Sequence, residues 1–418
     1  MYYPYCIMSF LMTKKKQYLL FPLIFSSFYF LQIILKWPLL NIWGIGNGFN
    51  FGDLKGIIAL SKCSFRNIFF QSPQYTCEFL GSTYSYFPYG TTLQIIIRFL
   101  QIEESNTFVI GIIIFLALCI LLSLIIFYLR ISSTQTIIYW SIIFCSPPIV
   151  LLIERMNFDA VIILIIAITA VCFGKKKLLL GTIVLTLSVL FKFYTLPVFL
   201  IVLIITKDTR IRIIAILLMS ISSFVVLQEL PVIKDFRIGA FAAFGAPVYG
   251  TYLNRIFNDF DLSYEQSSIF GLFLYILTLI IFISFSRSNK KFSQLFKKTT
   301  NKSEISSLEW LYILCASIMV SCFIFGNNFE YRLVFLLVAS MVYFNTRLFT
   351  SFQKSSLHIM LFLICWCNYN YYMLQPIGDT LLLFLLATIS ADIYFNYVQA
   401  SLFKSRFFIF LRDSRIKF

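Results

Sequence analysis

Charge is scarce in this chain. Of its 418 residues only 12% are charged while 60% are hydrophobic, against roughly 25% and 45–50% in soluble domains. That shortage excludes a water-soluble globule. Histidine is almost missing: His358 is the single one, at the edge of an apolar run. It reads as packing, which leaves histidine-based acid–base catalysis almost no room. The ten cysteines outline no metal centre, because Cys365 and Cys367 lie in an apolar run with no His or Asp at ligand spacing. There is no hydropathy repeat of the kind that marks two-fold transporters, and no appended soluble catalytic domain. Neither an Arg-rich amphipathic face nor aromatic–basic interleaving is present, so the net charge of +16 does not point to nucleic acid.

What is abundant is apolar sequence. Runs long enough to cross a bilayer, about 17–25 residues or somewhat fewer when deeply buried, fall at 17–40, 108–129, 135–153, 157–173, 178–191, 194–206, 211–228, 267–285, 308–325, 332–346, 357–371 and 377–396. Lys14–Lys16 precede the first, as in a signal peptide. That stretch is too long for a signal core, and no small-residue cleavage site follows, so it reads as an uncleaved span. The expectation is an all-α polytopic membrane protein of about 11–12 transmembrane helices in one domain. Span 17–40 comes first, then an outer loop over 41–107 holding interfacial helices, and a span cluster over 108–228. A second outer loop over 229–266, C-terminal spans over 267–396 and a basic tail over 397–418 complete it. Pro197, just after Lys192 and Tyr194, predicts a break with two half-length segments on either side.

With twelve crossings both termini share a side. Most of the 34 basic residues then fall in connections on that side: Lys14–Lys16, Lys175–Lys177, the 286–307 loop and the tail among them. Most of the 18 acidic residues fall on the other. Cytoplasmic loops carry the excess of Lys and Arg, so the arrangement reads N-in, C-in. Cys63 and Cys77 lie in the first outer loop, where an oxidising exterior would let them pair; unpaired thiols remain an equal alternative.

The outer face collects the polar residues that matter: Asp53, Glu154 with Arg155, Asn157 and Asp159, Lys192 with Tyr194, and the stretch from Asn327 to Arg332. A charged side chain at mid-bilayer costs about 2.5–3.5 kcal/mol, so charges bounding apolar runs are retained for a reason. Arg and Lys neutralise a phosphate, and a carboxylate within hydrogen-bond reach of a hydroxyl can take its proton. Aromatics of the outer loops (Trp43, Tyr84, Tyr86, Tyr89, Tyr249, Tyr252) offer stacking surfaces for sugar rings and lipid. Each charge has a plainer reading: Glu154–Arg155 a boundary ion pair, Lys192 a snorkelling side chain, Asp53 a helix N-cap. Their gathering on one side, opposite a basic face, weighs against all three at once.

These residues carry a resemblance. Glu154-Arg155-x-Asn157-x-Asp159, an apolar span, the basic turn Lys175–Lys177, a span containing Gly181, and then Leu190-Phe191-Lys192-Phe193-Tyr194-x-x-Pro197 resembles the (E/R)-G-N-x-D … (A/L)-x-x-K-x-Y-P core of the polyprenyl-phosphate-sugar-dependent glycosyltransferases. These are multispanning GT-C enzymes that include bacterial α-mannosyltransferases. Tyr86-Phe87-Pro88 is similar to their Tyr-x-Pro-Pro element, and Asn328-Phe329-x-Tyr331-Arg332 to their Asn/Tyr-Arg element. The chain departs at Met156, which stands where Gly is usual, at Thr195, which intrudes before the Pro, and at Gly52-Asp53-Leu54, where Asp-aromatic is commoner.

The resemblance implies a GT-C-like bundle in a bacterial plasma membrane. It implies transfer of a mannose-like hexose from a polyprenyl-phosphate donor to a glycolipid or cell-surface polysaccharide, without metal or other cofactor and with inversion. Asp53, in the first large outer loop, takes the place of the family's base. Arg155, Lys192 and Arg332 would bind the donor phosphate, and Glu154, Asn157, Asp159 and Tyr194 would orient sugar or acceptor. The competing readings are a lipid-linked oligosaccharide flippase or other transporter, which should carry polar residues at mid-span, and a surface-polysaccharide polymerase, which would use arginines in its outer loops.

Overall fold

A computed structural model describes residues 17–35, 51–61, 76–79, 82–85, 91–206, 208–234, 243–249, 263–298, 304–324, 328–329, 332–367 and 374–399. Each of the twelve apolar runs holds a helix. Lipid offers the backbone no hydrogen bonds, so an apolar run there must satisfy its N–H and C=O groups internally. In chain order the helices are α1 (Leu20–Leu35), α2 (Gly52–Ser61), α3 (Thr91–Phe99), α4 (Thr107–Tyr128), α5 (Thr134–Phe144), α6 (Pro147–Glu154), α7 (Asp159–Gly174) and α8 (Leu178–Phe191). They continue with α9 (Val198–Ile205), α10 (Thr209–Lys234), α11 (Tyr264–Ser288), α12 (Lys290–Ser293), α13 (Ser307–Ile324), α14 (Leu333–Thr346), α15 (Ser351–Cys367) and α16 (Gln375–Ile393). The chain is an all-α membrane protein. Its strands are two short antiparallel pairs among the described residues: β1 (Thr76–Phe79) with β2 (Ser82–Ser85), and β3 (Ala243–Phe244) with β4 (Asn328–Phe329). The second pair ties the segment between α10 and α11 to the segment between α13 and α14.

The spans are less uniform than twelve crossings would have them. Five helices among the described residues are long and apolar enough to cross: Glu104–Tyr128, Thr209–Leu227, Glu265–Ser288, Ser307–Ile324 and Gln375–Val398. A sixth forms if α5 and α6, bent by 56°, count as one span. The reason is length: the 14 residues of α14 rise about 21 Å, short of a hydrocarbon core of about 30 Å. Such a helix survives by burial instead. Every residue of α14 from Leu333 to Phe344 is buried, the mark of a helix apolar all round and central to the bundle. The crossing parts of α10 and α11 are only 17% and 11% buried, so they line the periphery, whereas α13 is 67% buried and belongs to the core.

The helix ends separate two polar regions. Helix α7 runs from Asp159 to Gly174, and α14 is flanked by Arg332 before its start and Arg347 after its end. At the finishing end, Arg347 grips Asp392 through Nε (2.7 Å) and Nη2 (2.6 Å), while Tyr312 (2.9 Å) and Asn396 (2.9 Å) donate to the same carboxylate. Beside it Lys298 pairs with Glu309 at 2.8 Å and lies 4.0 Å over the Tyr397 ring. Each partner's polar needs are met, so this network locks α13, α14 and α16 together. The starting end carries the candidate site, about 24 Å away along the 16 residues of α7.

His358 packs between Tyr139, Trp140 and Phe344, and Cys365 is in the core, as filler would be. Lys14–Lys16, Trp43, Cys63, Tyr86, Tyr89, Tyr252, Asn327, Tyr331 and the tail from 400 onward lie outside the described residues. So, with Cys63, does the proposed Cys63–Cys77 pairing.

Candidate active site

The site starts from one turn. Helix α6 opens on Pro147 and Pro148, which suit first-turn positions because their missing N–H groups have no helical partner there. It closes after Glu154 with Met156 N–H on Ile153 O (3.0 Å) and Asn157 N–H on Leu152 O (3.0 Å). This paired closure needs a left-handed residue at its corner, usually Gly. Met156 supplies it at φ 44° with its side chain buried. A non-Gly residue there costs roughly 1–2 kcal/mol, so Met156 holds this corner at some strain. Asn157 Oδ1 then accepts the N–H of Asp159 (3.0 Å), starting α7.

Two backbone bonds dock the start of α2 onto this turn: Phe51 N–H to Glu154 O (3.0 Å) and Asp53 N–H to Arg155 O (3.0 Å). The Phe51 ring lies against Gly111 of α4, where a Cβ would come within 2.6 Å of it. So held, the Asp53 carboxylate meets Arg155 and Asn157. Arg155 places Nε and Nη2 each 2.8 Å from Oδ1, and Asn157 Nδ2 donates to Oδ2 at 2.5 Å. The plain N-cap reading of Asp53 gives way to this long-range pairing.

The third segment is the break after α8. Lys192 is extended (φ −147°, ψ 111°), followed by a short 3-10 turn over Phe193–Thr195 and then Pro197 and α9. Two half-length helices meet here, as the proline predicts. Thr195 braces the break: its hydroxyl donates to Lys192 O (3.0 Å) and accepts from Ser188 (3.1 Å). Lys192 Nζ donates to Asn157 Oδ1 (2.8 Å) and to Asp159 Oδ1, which also accepts from Tyr194 OH (2.5 Å). Arg332, at the head of α14, brings Nε to 3.5 Å from Asp159 Oδ2 and its guanidinium to 4.6 Å over the Tyr194 ring.

One connected network therefore joins Asp53, Arg155, Asn157, Lys192, Asp159, Tyr194 and Arg332. Within it three cations face two carboxylates, an excess that favours an anion. Burial pulls the Lys192 amine down from its ordinary value to about 8; Asp159 opposes the fall and Arg332 adds to it. Lys192 and Asp159 are sealed, with side chains 4% and 0% exposed, whereas Arg155 is 42% exposed. Arg155 is thus the cation open to an arriving group, and Lys192 sits behind it, engaged with Asn157 and Asp159. Among the described residues no three His, Cys, Asp or Glu side chains gather closely enough to hold a metal ion.

No family model, characterised protein or solved structure matches the chain. The functional reading rests on this geometry.

Glu154 stands apart. Its backbone joins the docking of Phe51, but its carboxylate, on a residue only 6% exposed, makes no hydrogen bond or ion pair among the described residues. Sequence reasoning missed the supports: Ser188 and Thr195 at the break, Gly111 beneath Phe51, and the Arg347–Asp392 lock at the far end. For the lock a signal existed, since Asp392 falls inside an apolar run, where an acid calls for a partner.

Proposed function

We propose that the chain is a GT-C-type membrane glycosyltransferase, with 11–12 crossings once the short helices are counted and both termini in the cytoplasm. It moves a mannose-like hexose from a polyprenyl-phosphate donor to a hydroxyl of a glycolipid or surface polysaccharide on the outer face of a bacterial plasma membrane. The observation that carries this is the convergence of four distant segments, around Asp53, Arg155–Asp159, Lys192–Tyr194 and Arg332, on one end of the bundle. The pattern of the resembled enzymes supplies the same residue types from the same segments.

In this reading Arg155 meets the donor phosphate, and Lys192 and Arg332 add positive potential from behind. Asn157, Asp159 and Tyr194 fix the cations in place. A site carboxylate takes the proton of the acceptor hydroxyl; by resemblance that is Asp53. The hydroxyl oxygen bonds to the anomeric carbon, the bond from that carbon to the phosphate oxygen breaks, and the lipid phosphate leaves with the electron pair. One displacement inverts the anomeric centre. An apolar cavity of about 320 Å³ at the α5–α6 bend, lined by Ile24, Phe28, Val150 and Trp366 among others, would receive part of the lipid chain one helical turn from Glu154.

The test is chemical. Purified protein in liposomes is given radiolabelled polyprenyl-phosphate mannose and extracted membrane lipids. A transferase moves label into a new lipid or polysaccharide product. A flippase leaves label on the polyprenyl phosphate and changes only its leaflet, and that result would overturn the reading.

A further inference from the structure

Three acidic residues lie in the segments that meet at the site, and their surroundings differ. Asp159 is fully buried and held by Lys192, Tyr194 and Arg332. Asp53 has one oxygen on the Arg155 fork and the other on Asn157. An acceptor hydroxyl reaching Asp53 must compete with donors already in place, and Asp159, 0% exposed, is sealed from one even though its Oδ2 accepts no hydrogen bond. Glu154 is 94% buried, being 6% exposed, and its carboxylate has no hydrogen-bond or ion-pair partner among the described residues. The neighbouring guanidinium of Arg155 acts on it electrostatically. Glu is seldom so buried without a partner, and its oxygens are not among the sealed unpartnered atoms, so a small opening still leads to them. This carboxylate sits on the residue whose backbone carbonyl anchors the start of α2, next in sequence to the exposed cation of the site.

We infer that Glu154, with its lone pairs uncommitted, is the group that accepts the proton from the acceptor hydroxyl, and that Asp53 is a positioning residue that aims Arg155 and Asn157. The inference rests on the transferase reading and reassigns one role within it. In the step, the hydroxyl O–H proton passes to a Glu154 carboxylate oxygen as the glycosidic C–O bond forms. The bond from the anomeric carbon to the phosphate oxygen breaks, leaving the lipid phosphate with the electron pair. Glu154 then returns the proton to water. Its small solvent-exposed fraction is the route for that return.

The experiment uses the full chain in liposomes with ¹⁴C-mannosyl phosphoryl polyprenol as donor and extracted membrane lipid as acceptor. Positioned bases contribute about 10²–10⁴-fold. Glu154→Gln, nearly isosteric, should therefore lower kcat by about 10²-fold or more, leave donor KM within about twofold, and erase the acid limb of the pH–rate profile. Formate should restore part of the rate in Glu154→Ala, whereas Asp53→Asn, slowed as it is, should keep the acid limb. Thermal unfolding checks that each variant is folded. Should Glu154→Gln unfold, Glu154→Asp keeps the charge one methylene back and should retain the limb with a reduced kcat. Wild-type transfer together with a Glu154→Gln variant that keeps more than half of kcat, or keeps its acid limb, overturns the inference and leaves the transferase reading standing. Loss of the limb in Asp53→Asn with no rescue by formate gives the role to Asp53. Wild-type protein that transfers no label at all removes the transferase reading itself.

Discussion

Asp159→Asn is the sharpest perturbation of the buried network. The Asp159 side chain is fully buried and answers two cations, Lys192 (4% exposed) and Arg332 (11% exposed). Asparagine keeps the shape and can still accept one hydrogen bond, but it leaves those cations without a carboxylate. Breaking a buried pair by removing one partner costs about 3–5 kcal/mol, most of it the stranded charge. Lys192→Met, which strands Asp159 with Arg332 and Tyr194 still in place, should cost somewhat less. The double variant Lys192→Met with Asp159→Leu removes both charges and should fall within about 2 kcal/mol of wild type, since apolar replacement of buried pairs is often neutral. Only Arg332 is then left to reach towards water. The readout is reversible unfolding in mixed micelles, followed by tryptophan fluorescence, with Asp159→Leu and Lys192→Met each also measured alone so that they close a double-mutant cycle with the double variant, and a coupling of at least about 2 kcal/mol is expected. Single costs that simply add, or an Asp159→Asn cost under about 1 kcal/mol, would refute the claim that the three side chains act as one charged unit.

Three further outcomes follow from other parts of the molecule. Arg347→Met should destabilise by about 3–5 kcal/mol, because Asp392 loses both arms of a pair only 1% and 0% exposed; the same unfolding assay reads it, and the rate of transfer by the folded fraction should be unchanged. Gly111→Ala puts a Cβ 2.6 Å from the Phe51 ring, and moving that ring moves Asp53. Small misplacements at a reacting site are costly, so we expect about tenfold slower transfer, partly restored by adding Phe51→Leu. Lys192 is charged below about 8 and neutral above it, so the positive excess disappears as pH rises through that value. Donor KM should increase over the same interval, and a KM flat to well above 8 would contradict a role for the Lys192 charge.

Much of the fold is legible in the sequence because hydropathy and backbone saturation work locally. Each apolar run holds a helix, and Pro197 after Lys192 marks the break between α8 and α9. Span length is less legible: whether a 14-residue helix such as α14 crosses or hides depends on what surrounds it, and neighbours are not written in a run. The site was legible as a list but not as a network. Charge at the ends of apolar runs picks out Asp53, Arg155, Lys192 and Arg332, whereas the pairing of Asp53 with Arg155 depends on two backbone bonds between residues 51–53 and 154–155. Nothing in the sequence at Met156 signals the left-handed backbone that closes the turn there. The isolation of Glu154 and the pairing of Arg347 with Asp392 belong to the same class: both are facts about contact between helices, which spacing along the chain does not encode.

The most direct measurement is transfer of labelled mannose from polyprenyl phosphate to membrane lipid by reconstituted wild-type protein and by Asp53→Asn. Asp53 ties residues 51–53 to Arg155 and Asn157, so the transferase reading expects a labelled product from wild type and at least about tenfold less from a variant that remains folded and inserted. Equal product from both, or none from wild type, would contradict it.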